Sequence, residues 1–176
     1  MFSRLSVGVF LALRLASAAD SRPLEEYKVK AAFLYNFARF VEWPAAAFLG
    51  LDDPLTICVL GDDPFGRTLD EIVAGKKLDS HAFAVRRISD ARNVAGCRIL
   101  FVSSSERKRV LASIAAASEQ GLLTVGESCN PTAEGMIINF TVEDGKVRFE
   151  INRDAAERSN IRLSSRLLSL ASTLKK

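Results

Sequence analysis

Apolar and polar positions follow three different patterns along this chain. From Glu26 to Pro44 the apolar residues recur at helical spacing, with Val29, Phe33, Phe37, Phe40 and Val41 on one face and Leu34 at its edge. Pro44 cannot continue a helix and biases Trp43 away from helical geometry, so the helix is expected to stop near Trp43. Leu55–Leu60 is a short apolar run between Pro54 and Gly61, too short for a helix and containing β-branched residues, which predicts a buried strand. Around Phe83–Ile88 apolar and basic residues alternate, the pattern of a strand with one solvated face or an edge position.

The remaining elements follow the same logic. Arg67–Ala74 has Leu69, Ile72 and Val73 at helical spacing, Arg98–Val102 is almost wholly apolar and reads as a central strand, and Leu122–Val125 is a further strand. Ser103–Glu106 supplies cap candidates for a helix through Val110, Leu111, Ile114 and Ala115 that ends at Gly121. Met136–Val142 and Lys146–Ile151 flank Glu143-Asp144-Gly145, a hairpin signal. Asn152 or Asp154 is the cap candidate of a short helix through Ala156, and a last helix carries Leu163, Leu167, Leu168 and Leu170. Strands alternating with helices predict an α/β fold: one domain, a three-layer α/β/α arrangement on a mostly parallel sheet, closing with a C-terminal β-hairpin and preceded by a long aromatic N-terminal helix. The strand order stays open.

At 176 residues and 48% hydrophobic content the chain suffices for one sizeable core. Residues 1–19 stand apart. Arg4 gives a positive start, Leu5–Leu13 an apolar run, and Ala16-Ser17-Ala18 a small-x-small pattern, which together predict a secretory signal peptide cleaved after Ala18 or Ala19. The alternative, an N-terminal membrane anchor, is disfavoured because Arg14 breaks a run far shorter than the roughly 20 residues that a spanning helix needs. The exported product, residues 20–176, is expected in the periplasm, without direct membrane insertion. Removing Arg4 and Arg14 lowers the formal charge of +3 by two units, and the remaining basic residues are short, scattered groups such as Lys76-Lys77 and Arg107-Lys108-Arg109. No nucleic-acid partner is expected.

Candidate chemistry is sparse. His81 is the single histidine and falls in a polar turn, and no Gly-x-Ser-x-Gly elbow is present. Three cysteines and one histidine give no zinc spacing. Asp52-Asp53 and Asp62-Asp63 bracket the first strand in the manner of a Mg²⁺ site, but each pair precedes a proline and reads as turn chemistry. Gly61–Gly66 lies between a strand and a helix but lacks the glycine spacing and the lysine of phosphate loops. No catalytic, metal or cofactor-binding residue is therefore assigned, and no enzyme is expected. Cys58 lies within the first strand and Cys97 just before the third, so adjacent strands would permit a bridge in an oxidising compartment; buried free thiols are the other reading. Cys129 is left as an unpaired thiol.

The helix at 26–44 carries six aromatic residues, including both tyrosines and the one tryptophan. Tyr35 projects well away from the phenylalanine stripe, so a single packing partner does not cover both. Either Tyr35 and Trp43 rest against loops, or they are anchors in a protein interface.

Three blocks carry a resemblance: Lys30–Pro44 (KAAFLYNFARFVEWP), Ile57–Gly66 (ICVLGDDPFG), and Ile151-Asn152 through Leu163–Leu168 (LSSRLL). Together they resemble the YfiR family of periplasmic regulators over roughly residues 25–171, the first block being the most specific. The resemblance implies a non-enzymatic, often dimeric α/β protein. It would repress an inner-membrane YfiN-type diguanylate cyclase by binding its periplasmic part, which lowers cyclic-di-GMP and biofilm formation. An OmpA-like, YfiB-type outer-membrane lipoprotein would relieve that repression. The resemblance also implies a Cys58–Cys97 bridge and places Cys129 as half of a second pair, with Met136 standing where its mate would be sought. A periplasmic small-ligand sensor using the crevice near Asp62, Phe65 and Ser103–Ser105 is the alternative function.

Overall fold

The computed structural model describes residues 21–44, 47–48, 50, 52–106, 121–127 and 135–175. The segment expected to be a signal peptide, the body of the helix expected before Gly121, and Cys129 lie outside the described residues. The elements are α1 (Ser21–Phe40), β1 (Val41–Glu42), β2 (Leu55–Leu60), α2 (Arg67–Val73), β3 (Lys77–Leu78), β4 (His81–Ile88) and β5 (Cys97–Val102). They continue with β6 (Leu123–Glu127), β7 (Ile138–Glu143), β8 (Lys146–Asn152), α3 (Arg153–Arg158), β9 (Arg162–Leu163), α4 (Ser165–Leu170) and β10 (Thr173–Lys175).

Eight strands form one sheet in the order β10-β8-β7-β6-β5-β2-β4-β3, and β1 and β9 form a separate two-stranded ribbon. The five strands from β4 to β7 run parallel, β8 returns antiparallel to β7, and β10 adds parallel to β8 at the edge. This is the mixed, mostly parallel α/β sheet with a C-terminal strand pair that the hydrophobic pattern predicts. β2 is buried along its whole length, as a continuous apolar run between two parallel neighbours requires. Its alternation splits the core into two: Leu55, Ile57 and Val59 join Ile99, Phe101 and Val125 under all four described helices. Cys58 and Leu60 face the other way, with Leu100, Val102, Leu122 and Met136.

Local chemistry sets the boundaries. Asp144 and Gly145 both take positive φ (50° and 72°), the conformation of a two-residue turn whose twist matches the flanking strands. Of the two cap candidates, Asn152 is the one used: its side chain accepts a hydrogen bond from the Ala155 N–H.

The structure corrects the expected elements in four places. Helix α1 ends at Phe40 rather than near Trp43, because Val41 and Glu42 leave it to pair with Leu163 and Arg162. For the same reason Leu163 is a strand residue and not the start of the last helix. The buried stripe of α1 is centred on Leu34, with Lys30, Ala31, Phe37 and Ala38, while Val29 is exposed and Phe33 only half-buried. The sequence stripe is rotated because Lys30, polar by type, takes a core position. Finally, His81 opens strand β4 instead of lying in a turn.

Candidate protein-interaction site

Pairing of β1 with β9 folds the end of α1 back onto the C-terminal segment, since Val41 sits opposite Leu163 and Glu42 opposite Arg162. Beside this ribbon lies a cavity of about 320 Å³. Ala156, Ile161, Leu163 and Leu168 are its apolar lining, and Glu42, Arg153, Glu157 and Arg162 carry charges of both signs around it. Ala156 and Ile161 are core residues, whereas the four charged side chains are exposed, so the cavity has a dry floor and a wet rim. That combination excludes water from an apolar side chain placed on the floor while the rim charges fix its orientation. The sequence did not reveal this cavity: its residues come from segments more than a hundred positions apart, joined by a ribbon two residues long.

Trp43 follows directly on Glu42. It is half-buried, and its indole Nε1–H donates to the Ala38 carbonyl oxygen at 3.2 Å, satisfying one of the acceptors left open at the end of α1. Tyr35 is placed elsewhere. Its ring packs on Phe83 with centroids 5.1 Å apart, and the Lys76 ammonium lies 4.3 Å from the ring centroid. The structure thus gives the two aromatic residues separate surroundings and leaves each only half-buried.

The first turns of α1 are tied to the sheet by a buried ionic cluster. The Lys30 ammonium lies 2.6 Å from a Glu127 oxygen at the end of β6 and also pairs with Glu26 one turn earlier. Tyr27 donates its phenol hydrogen to the other Glu127 oxygen at 3.1 Å. Burial, reinforced by the Glu127 charge, pushes the Tyr27 phenol well above its ordinary range. The Lys30 ammonium also lies over the Tyr27 ring, 4.5 Å from its centroid. A second clamp holds α2: the Arg87 guanidinium spans Asp63 and Asp70, and its hydrogen bond holds the Asp70 carboxyl below the usual carboxylate range.

Around the crevice expected near Asp62, Phe65 and Ser103–Ser105 the chain makes contacts of its own. Phe65 is buried and packs edge-on against Phe101 and Tyr27, and the Asp62 N–H donates to Ser105 Oγ at 3.0 Å. A Cβ at Gly61, where φ is +88°, would lie 2.5 Å from Glu106 Cγ, so the two loops already touch. Asp63 accepts the Phe65 N–H, and Asp53 accepts the Gly50 N–H, the turn roles expected of both acidic pairs. Cys58 and Cys97 are joined in a disulfide across the central strands β2 and β5, with Cα atoms 5.8 Å apart. Met136 is buried on the same face as that bridge. Among the described residues no cluster of histidine, cysteine or carboxylate side chains has metal-binding geometry.

A mostly parallel α/β sheet, cross-linked through its centre and carrying a charged-rimmed apolar cavity at its C-terminal ribbon, defines an α/β domain with a surface suited to docking. The chain belongs to the YfiR/HmsC-like family, whose model matches residues 27–172. Membership points to a periplasmic regulator of cyclic-di-GMP signalling. Among the described residues no helix is long and apolar enough to cross a membrane. The fold is similar to that of a conserved domain protein from Vibrio cholerae O1 biovar El Tor, with a TM-score of 0.55 at 12% identity over 85% of this chain. It is also similar to an ABC domain from Streptococcus pneumoniae solved in complex with L-Trp, with a TM-score of 0.52 at 9% identity over 85% of this chain. This chain spans 60% of each of those chains, and at such identities the likeness is one of fold. No curated protein shows significant similarity.

Proposed function

We propose that this protein represses an inner-membrane diguanylate cyclase of the YfiN type by binding its periplasmic part, lowering cyclic-di-GMP and with it biofilm formation. The observation that carries the reading is the family match across nearly the whole domain. The apolar-floored cavity beside β1 and β9 supports it, because it suits one large apolar anchor side chain of a protein partner. Trp43, next to that rim, and Tyr35 are the proposed aromatic contacts. Repression acts as a population shift: the regulator binds the inactive cyclase more tightly than the active one. An OmpA-like, YfiB-type lipoprotein that competes for the regulator relieves it.

The test is intracellular cyclic-di-GMP in the native host with the gene deleted and then restored. A rise on deletion and a fall on restoration are expected, and restoration with Trp43→Ala or Arg162→Glu, both folded, is expected to leave the level high. An unchanged level on deletion, in a strain that expresses and exports the protein, removes the repressor reading. A second reading, a small-ligand sensor, is favoured by the cavity rim, which presents two arginines and two glutamates as a zwitterionic ligand requires. A thermal-shift screen with free amino acids separates the two.

A further inference from the structure

Of the large hydrophobic side chains exposed among the described residues, Leu24 on α1 is the most exposed, at 63%. It begins a row. At 100° per residue Lys28, Tyr35 and Arg39 share its side of the helix within an arc of about 60°, and the four span about 22 Å of the helix axis. Lys28 and Arg39 are exposed. Tyr35 acts as a post between cations: the Lys76 ammonium, from the turn after α2, lies 4.3 Å from its ring centroid and the Arg39 guanidinium 5.9 Å. Lys77, also exposed, follows at the start of β3. Among the described residues none of these four cations is held in an ion pair. The carboxylates nearest in the chain are engaged or turned away. Glu26 pairs with Lys30 and Glu71 with Arg67, while Glu25 stands about 60° round the helix from Lys28. Two like charges held against one ring repel each other, and an anion placed over them relieves that repulsion.

We infer that this face docks on the anionic phospholipid headgroups of a membrane surface, by adsorption with no segment crossing the bilayer. Three features favour a bilayer over an acidic protein. The cations are strung along a convex helix surface rather than gathered round a hollow, so they match a flat layer of phosphates better than a single carboxylate. Leu24 ends the row with an apolar side chain in water, which a membrane accepts at the boundary between headgroups and acyl chains. Tyr35 is of the residue type that settles at headgroup level, and the stems of Lys28 and Arg39 can lie along the apolar layer while their charges stay with the phosphates. The inference rests on the proposed place of the protein beside the inner membrane, and adds to that reading a surface that holds the regulator next to the bilayer carrying the cyclase.

The test is co-sedimentation of the exported, purified protein with vesicles of mixed phosphatidylglycerol and phosphatidylcholine, against vesicles of phosphatidylcholine alone. Binding to the mixed vesicles is expected to be at least about tenfold tighter at low salt, and to be lost near about 0.5 M salt. Lys28→Gln, Arg39→Gln and Lys76→Gln should each weaken it about fivefold. Leu24→Ser should weaken it about fivefold as well, and by the same factor at every salt concentration where binding is measured. Lys146→Gln, exposed on the β7–β8 hairpin and away from the row, should change it less than about twofold. Circular dichroism of each variant shows that it is folded. No binding to the mixed vesicles at low salt, equal binding to both kinds, or binding that the row variants leave unchanged overturns the inference. So does a loss of affinity for the cyclase's periplasmic part in variants whose vesicle binding is intact, which would make this face a protein surface. The vesicles carry no cyclase, so a failure here leaves the repressor reading standing, and an unchanged cyclic-di-GMP level leaves the vesicle result standing.

Discussion

Lys30 offers the sharpest test of how α1 is fastened to the sheet. Lys30→Met keeps an unbranched side chain of similar length and deletes the charge. The Lys30 side chain is 4% exposed and that of Glu127 10%, so Glu127 loses its cation in a place water barely reaches, keeping among the described residues the Tyr27 hydrogen bond. Removing one partner of a buried pair costs about 3–5 kcal/mol, because the other charge stays behind uncompensated. The lower end applies here, since the remaining partner, Glu26, is 32% exposed and recovers hydration. A loss of about 3 kcal/mol corresponds to a fall in Tm of about 6–12 °C for a domain of this size. Lys30→Met combined with Glu127→Gln removes both charges while the amide oxygen still accepts from Tyr27, and is expected to return within about 1 kcal/mol of wild type. Urea denaturation of wild type, singles and double measures all of this. A single-variant loss under about 1 kcal/mol would mean that the cluster behaves as a solvent-screened pair and that the burial argument is wrong.

Three further outcomes follow from other contacts. The Cys58–Cys97 bridge closes a separation of 39 residues, for which the chain-entropy model gives about 4 kcal/mol; denaturation with and without a reductant should show a loss of that order. Gly145→Ala meets no neighbouring atom, so its cost is backbone strain alone at φ 72°, about 1 kcal/mol by thermal denaturation, whereas Gly at Asp144 should be tolerated. For Asp70, whose folded pKa is held down chiefly by the Arg87 hydrogen bond, the stabilisation is present above the unfolded carboxylate range and lost as pH falls through the folded value. Arg87→Ala should therefore cost less than about 1 kcal/mol at neutral pH, the pair being half exposed, with the difference vanishing in acid and the Asp70 carboxyl titrating higher by NMR.

The sequence by itself determined the elements whose signal is local. The buried run Leu55–Leu60, the alternation at Phe83–Ile88 and the Asp144-Gly145 turn all stand where the pattern put them, because burial on two faces, burial on one face and positive φ each leave a mark within a few residues. The aromatic helix was equally legible, and so was the family, since most of its most specific block lies within that one element. Tertiary structure decided what depends on partners far away in the chain. Lys30 became a core residue only because Glu127 lies within 2.6 Å of it, and that single fact turned the buried face of α1 away from the face its apolar residues outline. The helix ended early because Val41 and Glu42 gained strand partners at Leu163 and Arg162, a pairing too short to show any period of its own. The cavity beside that ribbon is a shape between elements. Its apolar residues are ordinary core types, and only packing decides which of them are left uncovered.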